Sequence, residues 1–263
     1  MAQTDKMLSR KEGSVGYLTF NNPERHNAVS LEMWEAASEY LADFASDKAI
    51  RVVVLTGAGG KAFVSGADIS KFESERSSKE AIERYNIAVD KANTAVYECP
   101  KPTIAMIRGY CIGGGVGLAL CCDLRICSDN SKFGVPAAKL GLGYGFNGIK
   151  KLVDVVGPSF AKEIFYTARQ FTAAEAHGMG LVNRVLPDAE VEAYVKNYAE
   201  TIGGNAPLTV DAVKFIVGQT LKDESKRDLQ KCADVVTQCF ASKDYIEGRT
   251  AFMEKRKPQF KGE

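Results

Sequence analysis

The sequence predicts an α/β fold followed by a helical C-terminal region, and three observations support this. Apolar runs typical of strands alternate with segments of helical periodicity up to about residue 186. The run "IRVVVLTGAGG" is continuously apolar, as in a strand that is covered on both faces. Only helical patterns follow residue 186. We therefore expect a core over residues 1–200 and a helical region over residues 201–263.

Each strand and helix is predicted from its own local signals. Strands are expected at Val15–Phe20 and within "IRVVVLTGAGG", "PTIAMIRGY", "LRICSD" and "SKFGVP", with one more short strand at Val182–Val185. Ser30 is suited to cap the helix "LEMWEAASEYLADFA", which has apolar residues at helical spacing. The remaining helices are expected at 77–98, from the glycines to about Cys122, and at about 147–157, 159–168, 173–178, 188–203, 207–222, 225–241 and 244–254.

The bulk composition excludes several classes of protein. The 263 residues carry a formal net charge of +1 and are 45% hydrophobic, so neither a nucleic-acid partner nor an anionic membrane surface is indicated. The longest uncharged apolar stretch, Gly109–Cys122, is shorter than the roughly 20 residues that span a bilayer. The start "MAQTDKMLSRKEG" lacks an apolar run of the kind found in secretory signals. We expect a cytoplasmic protein.

The cysteines and histidines give no metal signature. Seven cysteines are present, an odd number, and several lie in apolar stretches, which is typical of buried free thiols in a reducing compartment. Cys-x-x-Cys spacing does not occur, and the histidines, His26 and His177, lie far from the cysteine group in the sequence. The sequence therefore predicts no metal site.

Two glycine-containing turns precede helices and present backbone N–H groups at their N-termini. One is Gly113–Gly115, and the other is Ser65–Asp68. Such N–H groups hold negative charge, and two of them aimed at one point form an oxyanion hole. Two alternatives stay open. The glycines can serve close backbone packing alone, or Gly57–Ala62, which fits G-x-G-x-x-A, can mark a dinucleotide fold, although no helix pattern opens there.

Five stretches resemble a known family, in the right order and over nearly the whole chain. They are "NNPERHNAVS", "VVVLTGAGGKAFVSGADI", "KPTIAMIRGYCIGGGVGLALCCDLRICSDNSKFGVP", "GLVNRVLP" and "EGRTAFMEKRKPQF". The family is the crotonase, or enoyl-CoA hydratase/isomerase, superfamily. The resemblance implies a spiral of ββα units, a helical C-terminal oligomerisation region, and homotrimers or dimers of trimers.

The resemblance also implies a substrate class and a set of binding residues. Family members bind acyl-CoA thioesters and stabilise an enolate-like oxygen with two backbone N–H groups, which by motif fall on Ala67 and Gly114. No cofactor is expected beyond the coenzyme A of the substrate. The residues at the family's CoA contacts, two of them supplied by a neighbouring subunit, are Arg25, His26, Ala28, Lys61, Ser65, Ala67, Asp68 and Ile69, with Phe252 and Lys255 from the neighbour. Apart from that context, Arg25 and Lys255 read as solvated basic residues, and Asp68 reads as a helix N-cap rather than a catalyst.

Two positions depart from the pattern of the hydratases. Their water-handling glutamates correspond here to Gly117 and Ala137. Hydration needs one group to take a proton from water and another to give a proton to the α-carbon, and neither glycine nor alanine can do so. The nearest carboxylates in the sequence are Glu73 and Glu75, which we expect to face solvent; the alternative is that one of them points into the pocket. The resemblance therefore supports acyl-CoA binding and enolate stabilisation but not ordinary hydration.

Tyr144 is the polar residue that we expect to replace the glutamates. It lies in "KLGLGYGFNGI", and this stretch and the tail "DYIEGRTAFMEKRKPQF" resemble the methylmalonyl-CoA decarboxylase branch of the superfamily. Loss of CO₂ leaves the enolate directly, so decarboxylation needs no base to start it. The match is partial, because that branch is not empty at the position of Gly117. A loop tyrosine that only packs against a helix is the alternative for Tyr144.

The sequence is therefore compatible with three functions. The first is an acyl-CoA enzyme, a lyase or isomerase, that decarboxylates a methylmalonyl-CoA-like substrate. The second is an enoyl-CoA hydratase or isomerase with atypical catalytic residues. The third is a non-catalytic acyl-CoA binder, which would bind CoA esters without turnover.

Overall fold

Two β-sheets form the centre of the molecule, and strands of the two sheets alternate along the chain. The computed structural model describes residues 4–68, 71 and 77–263. Three times in succession, a strand of the larger sheet is followed by a short strand of the smaller sheet and then by a helix. This repeat is the spiral of ββα units that the resemblance implied.

The larger sheet has six strands and is mostly parallel. Its strands are β1 (Met7–Glu12), β2 (Val15–Phe20), β3 (Val52–Gly57), β5 (Thr103–Ile107), β7 (Leu124–Ser128) and β10 (Arg184–Leu186). They lie in the order β1–β2–β3–β5–β7–β10, and only β1 and β2 are antiparallel. No strand was predicted before Val15. The reason is that β1 is an edge strand in which only Met7 is buried, so its sequence, MLSRKE, shows no apolar alternation.

The smaller sheet has four short strands. They are β4 (Ala62–Val64), β6 (Tyr110–Ile112), β8 (Lys132–Gly134) and β9 (Phe171–Thr172), in the order β4–β6–β8–β9. The prediction of one strand through "PTIAMIRGY" was wrong, because the chain passes there from β5 in one sheet to β6 in the other. Gly109 makes this turn with a φ of +66°, and a Cβ at that position would collide with the Lys61 carbonyl group.

Ten α-helices in the described part of the chain surround the sheets. They are α1 (Leu31–Ser46), α2 (Lys79–Tyr97), α3 (Gly114–Cys121), α4 (Ala137–Leu140), α5 (Phe146–Thr167), α6 (Ala173–Gly178), α7 (Val191–Gly203), α8 (Pro207–Thr220), α9 (Leu229–Ala241) and α10 (Lys243–Met253). The two helices predicted over 147–168 are both included in α5, and they meet at Gly157, whose φ of 75° and ψ of 167° are not helical, ahead of Pro158. Helix α9 begins later than predicted, because the Asp228 side chain caps it.

The central strands separate two apolar layers, which explains why their sequence is continuously apolar. Leu18 and Leu55 face the layer that contains α1, α2 and α3. Val54 and Ile104 face the other layer, which is closed by Val191 and its neighbours on α7. Because side chains alternate across a strand, residues on both faces of β3 are fully buried.

The C-terminal helices leave apolar surface uncovered. Helices α8, α9 and α10, together with Phe260, enclose a cleft of about 890 Å³. Phe240, Phe252 and Met253 border it and are 63%, 83% and 79% exposed. The residues after α10 contact the core, because the Arg51 guanidinium donates a hydrogen bond to the Phe260 carbonyl at 2.6 Å. Within the described residues, no helix is both long and apolar enough to cross a membrane.

Candidate active site

The three consecutive glycines ahead of α3 serve different purposes. Gly113 has a φ of +56°, a conformation that favours glycine, and it forms the N-cap of the helix. Gly115 packs so closely on β4 that a Cβ there would collide with the Val64 carbonyl group. Gly114 is the first residue of the helix and is exposed, and the Cα of Gly66, at 3.9 Å, is the nearest atom that the described residues outside this helix would bring to a Cβ there. Gly113 and Gly115 are therefore required by the path of the backbone, whereas Gly114 leaves the backbone accessible.

The Gly114 N–H is a free hydrogen-bond donor in the described part of the chain. Gly113 N donates to the Gly134 carbonyl at 2.8 Å, while Val116 N and Gly117 N donate to Gly113 O at 3.1 and 3.2 Å. Gly114 N has no such acceptor among the described residues. An N–H at the first position of a helix carries part of the positive end of the helix dipole, so it favours a negatively charged oxygen.

The Ala67 N–H likewise has no acceptor among the described residues. Ala67 pairs with Val29 in an isolated parallel bridge. Val29 N donates to Gly66 O at 2.9 Å, and Asp68 N donates to Val29 O at 3.0 Å. In a parallel pairing of this kind, the N–H of the middle residue points away from the partner strand. The Ala67 N–H therefore faces away from Val29.

Pairing of β4 with β6 brings the two donors to the same place. The strands are parallel, and Val64 lies opposite Cys111. The segments that leave their ends, Ser65–Asp68 and Gly113–Gly115, therefore emerge side by side. A Cβ at Gly66, whose φ is +106°, would lie 3.5 Å from Ile112 O and 4.0 Å from Gly114 N. Backbone donors on two adjacent segments, one at a helix N-terminus, are the arrangement of an oxyanion hole.

Several predicted CoA-binding residues gather beside this point. Arg25 ends a single 3₁₀ turn, Pro23–Arg25, and His26 follows with a left-handed φ of 52°. The Ser65 hydroxyl donates to Arg25 O at 3.3 Å, and the Arg25 guanidinium lies 3.6 Å from the buried Asp68 carboxylate. This carboxylate holds the otherwise exposed Arg25 next to the Ser65–Asp68 segment.

The other residues of the N-terminal half that were predicted to contact CoA differ in their exposure and position. Ala28 is buried, and its N–H donates to Arg25 O at 3.0 Å, so it shapes the turn. Lys61 is exposed just before β4, and its carbonyl accepts from Tyr110 N at 3.1 Å. Ile69 lies outside the described residues, as do the carboxylates Glu73 and Glu75.

Phe252 and Lys255 lie at the other end of the larger sheet. Phe252 borders the C-terminal cleft together with Phe260, whose carbonyl is bound by Arg51. Arg51 precedes β3, whereas the Ser65–Asp68 segment follows it, and a strand of six residues is about 20 Å long. Lys255 is exposed after α10, with a φ of 56°. The turn over residues 23–28, to which the resemblance assigns CoA binding, is called the CoA-contact turn below. Within one chain, Phe252 and Lys255 are not brought to this turn.

Gly117 and Ala137, which the resemblance predicts at the positions of the hydratase glutamates, carry no ionisable group. Gly117 lies in the middle of α3, and no atom of the described residues, apart from the neighbouring backbone of the helix, would lie within 4 Å of a Cβ there. Ala137 is buried at the start of α4. As far as the described residues show, space for a longer side chain therefore exists beside Gly117, and neither Gly117 nor Ala137 supplies a proton-transfer group.

Tyr144 lies between α4 and α5, in the connection that follows Ala137. The loop closes on α4 where Leu142 N donates to Ala137 O at 3.0 Å. The Tyr144 ring packs edge-on against Phe165, with centroids 5.0 Å apart, and 38% of the residue is exposed. Partial burial raises the pKa of Tyr144, so the hydroxyl is protonated at neutral pH.

Three buried residues with polar groups were not singled out from the sequence. Tyr85 and Trp34 form a hydrogen-bonded pair that reaches Val29 O. Arg125 donates to the carbonyls of Cys122 at 2.6 Å and Leu181 at 2.8 Å, beside the C-terminus of α3. The sequence signal for Tyr85 is only its place in the apolar stripe of α2, which also fits an ordinary core residue.

The structure also bears on the other sequence patterns. The segment Gly57–Ala62 leads into β4 rather than into a helix, so the dinucleotide alternative is wrong. All seven cysteines are free, and five of them are buried. Within the described ranges, no three His, Cys, Asp or Glu side chains gather as metal ligands would.

Comparison with known proteins agrees with this geometry. A model of the enoyl-CoA hydratase/isomerase family matches residues 10–263. The chain belongs to this family, the crotonase superfamily. It is 36% identical to a crotonyl-CoA hydratase of Syntrophomonas wolfei over 256 residues, which cover 97% of this chain and 98% of the relative. It is 33% identical to a peroxisomal Δ(3,5)-Δ(2,4)-dienoyl-CoA isomerase of Arabidopsis thaliana, over 95% of this chain and 93% of that one.

A solved structure extends the similarity to the fold. The crystal structure of an enoyl-CoA hydratase/carnithine racemase from Magnetospirillum magneticum superposes with a TM-score of 0.94 and 37% identity, covering 99% of this chain and 97% of the other. This chain is thus an enzyme of the enoyl-CoA hydratase/isomerase family. Because the relatives carry the names of different reactions, family membership alone does not define the reaction of this chain.

Proposed function

We propose that this enzyme binds an acyl-CoA thioester and stabilises the enolate form of its carbonyl group with the N–H groups of Ala67 and Gly114. The observation that carries the proposal is the convergence of two free backbone donors at Gly66, one of them at a helix N-terminus. An enolate oxygen is more negative than a thioester oxygen, so these donors bind the intermediate more tightly than the substrate.

The reaction that we propose is decarboxylation of a malonyl-type thioester such as methylmalonyl-CoA. The bond between the α-carbon and the carboxylate breaks, CO₂ leaves, and the electron pair forms the enolate. A proton then passes to the α-carbon from the Tyr144 hydroxyl or from water, and a Tyr144 phenolate formed in this way takes a proton from water. This chemistry suits a site in which Gly117 and Ala137 supply no carboxylate, because only a proton donor is needed.

Hydration or isomerisation of an enoyl-CoA is the second candidate. The names of the relatives favour it, since they include a crotonyl-CoA hydratase and a dienoyl-CoA isomerase. It requires that a residue other than the two at 117 and 137 moves the protons. A non-catalytic acyl-CoA binder is the third, and it predicts binding without turnover.

We also propose that the enzyme works as a homotrimer or a dimer of trimers. Phe252 and Lys255 lie far from the CoA-contact turn of their own chain, and the C-terminal helices expose large apolar side chains. A neighbouring subunit would receive these two residues at its own CoA site. No cofactor other than the coenzyme A of the substrate enters this scheme.

A turnover assay on crotonyl-CoA and methylmalonyl-CoA, side by side, distinguishes the candidates. The two signals are the loss of the enoyl absorbance and the release of CO₂. Release of CO₂ without hydration supports decarboxylation, whereas hydration of crotonyl-CoA supports the second candidate. Binding of both thioesters without either reaction supports the non-catalytic binder.

A pair of substitutions at Gly114 tests the donor itself. Gly114→Pro removes the N–H at a helix position that tolerates proline, and we expect turnover to fall by about 10²–10³-fold. Gly114→Ala keeps the N–H, and its Cβ has room 3.9 Å from Gly66, so it should retain most of the activity. Equal activity of the two variants would remove Gly114 from the oxyanion hole.

A further inference from the structure

We propose that Tyr85 and Trp34 are positioning residues, which set the direction of the Ala67 N–H through the backbone of Val29. The inference rests on the proposed function, because it gives Ala67 a role toward the thioester oxygen. Neither side chain touches the donor directly. Their connection to it passes through hydrogen bonds among buried groups.

The hydrogen bonds form a chain with a defined direction. Trp34 Nε1 donates to the Tyr85 hydroxyl oxygen at 3.1 Å, and the Tyr85 hydroxyl donates to Val29 O at 3.2 Å. An indole N–H can only donate. The Tyr85 oxygen must therefore accept from Trp34, which leaves its single proton for the Val29 carbonyl.

Val29 forms hydrogen bonds with the residues on both sides of Ala67. Its N–H donates to the residue before Ala67, and its carbonyl accepts from the residue after it, at 2.9 and 3.0 Å. The same carbonyl thus serves both the Tyr85 hydroxyl and the bridge to Asp68. The Ala67 N–H belongs to the peptide between Gly66 and Ala67, whose carbonyl accepts from Val29 N, and the Val29 carbonyl holds the next peptide through Asp68 N. A shift of Val29 would therefore change the direction of the Ala67 N–H through these two hydrogen bonds.

Burial makes this connection stiff. Trp34 is 2% exposed, Tyr85 is 4% exposed and Val29 is fully buried. Trp34 lies on α1 and Tyr85 on α2, so side chains from two packed helices support the bridge between Val29 and Ala67. Without the Tyr85 hydroxyl, the Trp34 N–H loses its acceptor, and Val29 O keeps only the Asp68 N–H. A buried donor without a partner favours local rearrangement.

The direct test uses acetoacetyl-CoA as the probe, because the enolate of this thioester has its own absorbance band. The amount of enolate formed on the protein reports the strength of the oxyanion hole, whichever reaction the enzyme catalyses. We expect Tyr85→Phe to lower the enolate-to-keto ratio of the bound probe by about 10-fold, with a much smaller change in the dissociation constant of CoA. Trp34→Phe should lower it less, because the Tyr85 hydroxyl remains.

Tyr17→Phe is the matched control. Tyr17 is also buried, at 7% exposure, but it faces α7 on the opposite side of the larger sheet. We expect this variant to leave the ratio within about twofold of the wild type. Thermal unfolding of all three variants, followed by circular dichroism, separates a general loss of stability from a local change at Ala67.

The outcomes separate the two proposals. If the wild type binds the probe without forming enolate, the oxyanion site is wrong and the proposed function fails. If the wild type forms enolate and Tyr85→Phe forms as much, only the positioning role is overturned. An equal loss in Tyr17→Phe would also overturn it, because any buried tyrosine would then have the same effect.

Discussion

Substituting alanine at Gly115 tests the close packing of α3 on β4. The added Cβ would collide with the Val64 carbonyl oxygen and lie 2.9 Å from its carbon and 3.1 Å from the Val64 Cβ. Two of these three atoms belong to the backbone of a buried strand, so no side-chain rotation relieves the contact. Either the helix or the strand must move.

The expected cost follows from overpacking. An extra methyl group in a packed core costs about 1–3 kcal/mol, and a contact with backbone belongs at the upper end. Alanine is the better helix former by about 1 kcal/mol, which offsets part of this. We expect the free energy of unfolding of Gly115→Ala to fall by about 2 kcal/mol. Because α3 also carries the Gly114 N–H, turnover should fall as well.

Gly117→Ala is the control, because it makes the same chemical change two residues further along the same helix. In the part of the chain that the structure describes, no atom beyond the neighbouring helix backbone lies within 4 Å of its Cβ, so the helix preference dominates and stability should rise by about 0.5–1 kcal/mol. Urea unfolding of both variants measures the two free energies. Equal stability of the two variants would refute the claim that close approach requires glycine at position 115.

Three further predictions concern other parts of the molecule. If Tyr144 returns the proton to the α-carbon, Tyr144→Phe should lower the rate of CO₂ release by about 10²–10⁴-fold, and a change below about twofold would mean that the residue only packs. Arg125→Met should lower the free energy of unfolding by about 3 kcal/mol in urea, because the carbonyls that the buried guanidinium binds lose their donor, and Arg125→Lys should recover part of it. Hydrogen bonds from Thr172 and Arg169 hold the pKa of Glu175 at about 2, below its usual 4.5, so its contribution to stability is present above the usual pKa and is lost as the pH falls toward 2. The difference in unfolding temperature between wild type and Glu175→Gln should therefore shrink over that range, and a constant difference would contradict the assignment.

Much of the fold was predictable because local patterns agree with the final structure. Strands β2, β3 and β7 are apolar on buried faces, and most helices show regular periodicity. The failures have physical causes. Edge strand β1 buries one side chain and so carries no apolar alternation, and the break between β5 and β6 depends on the close approach of Gly109 to the Lys61 carbonyl group, which is distant in the sequence.

The sequence by itself determined which chemical groups the site can contain. It established that positions 117 and 137 have no carboxylate and that Tyr144 follows them, since a residue type is independent of folding. Only the tertiary structure decided where the backbone donors lie. Gly66 and Gly114 become neighbours because β4 and β6 pair in parallel, and Ala67 is held because Val29 bridges to it. Such contacts arise from pairing between segments that are far apart in the chain, and no local pattern of residues encodes them.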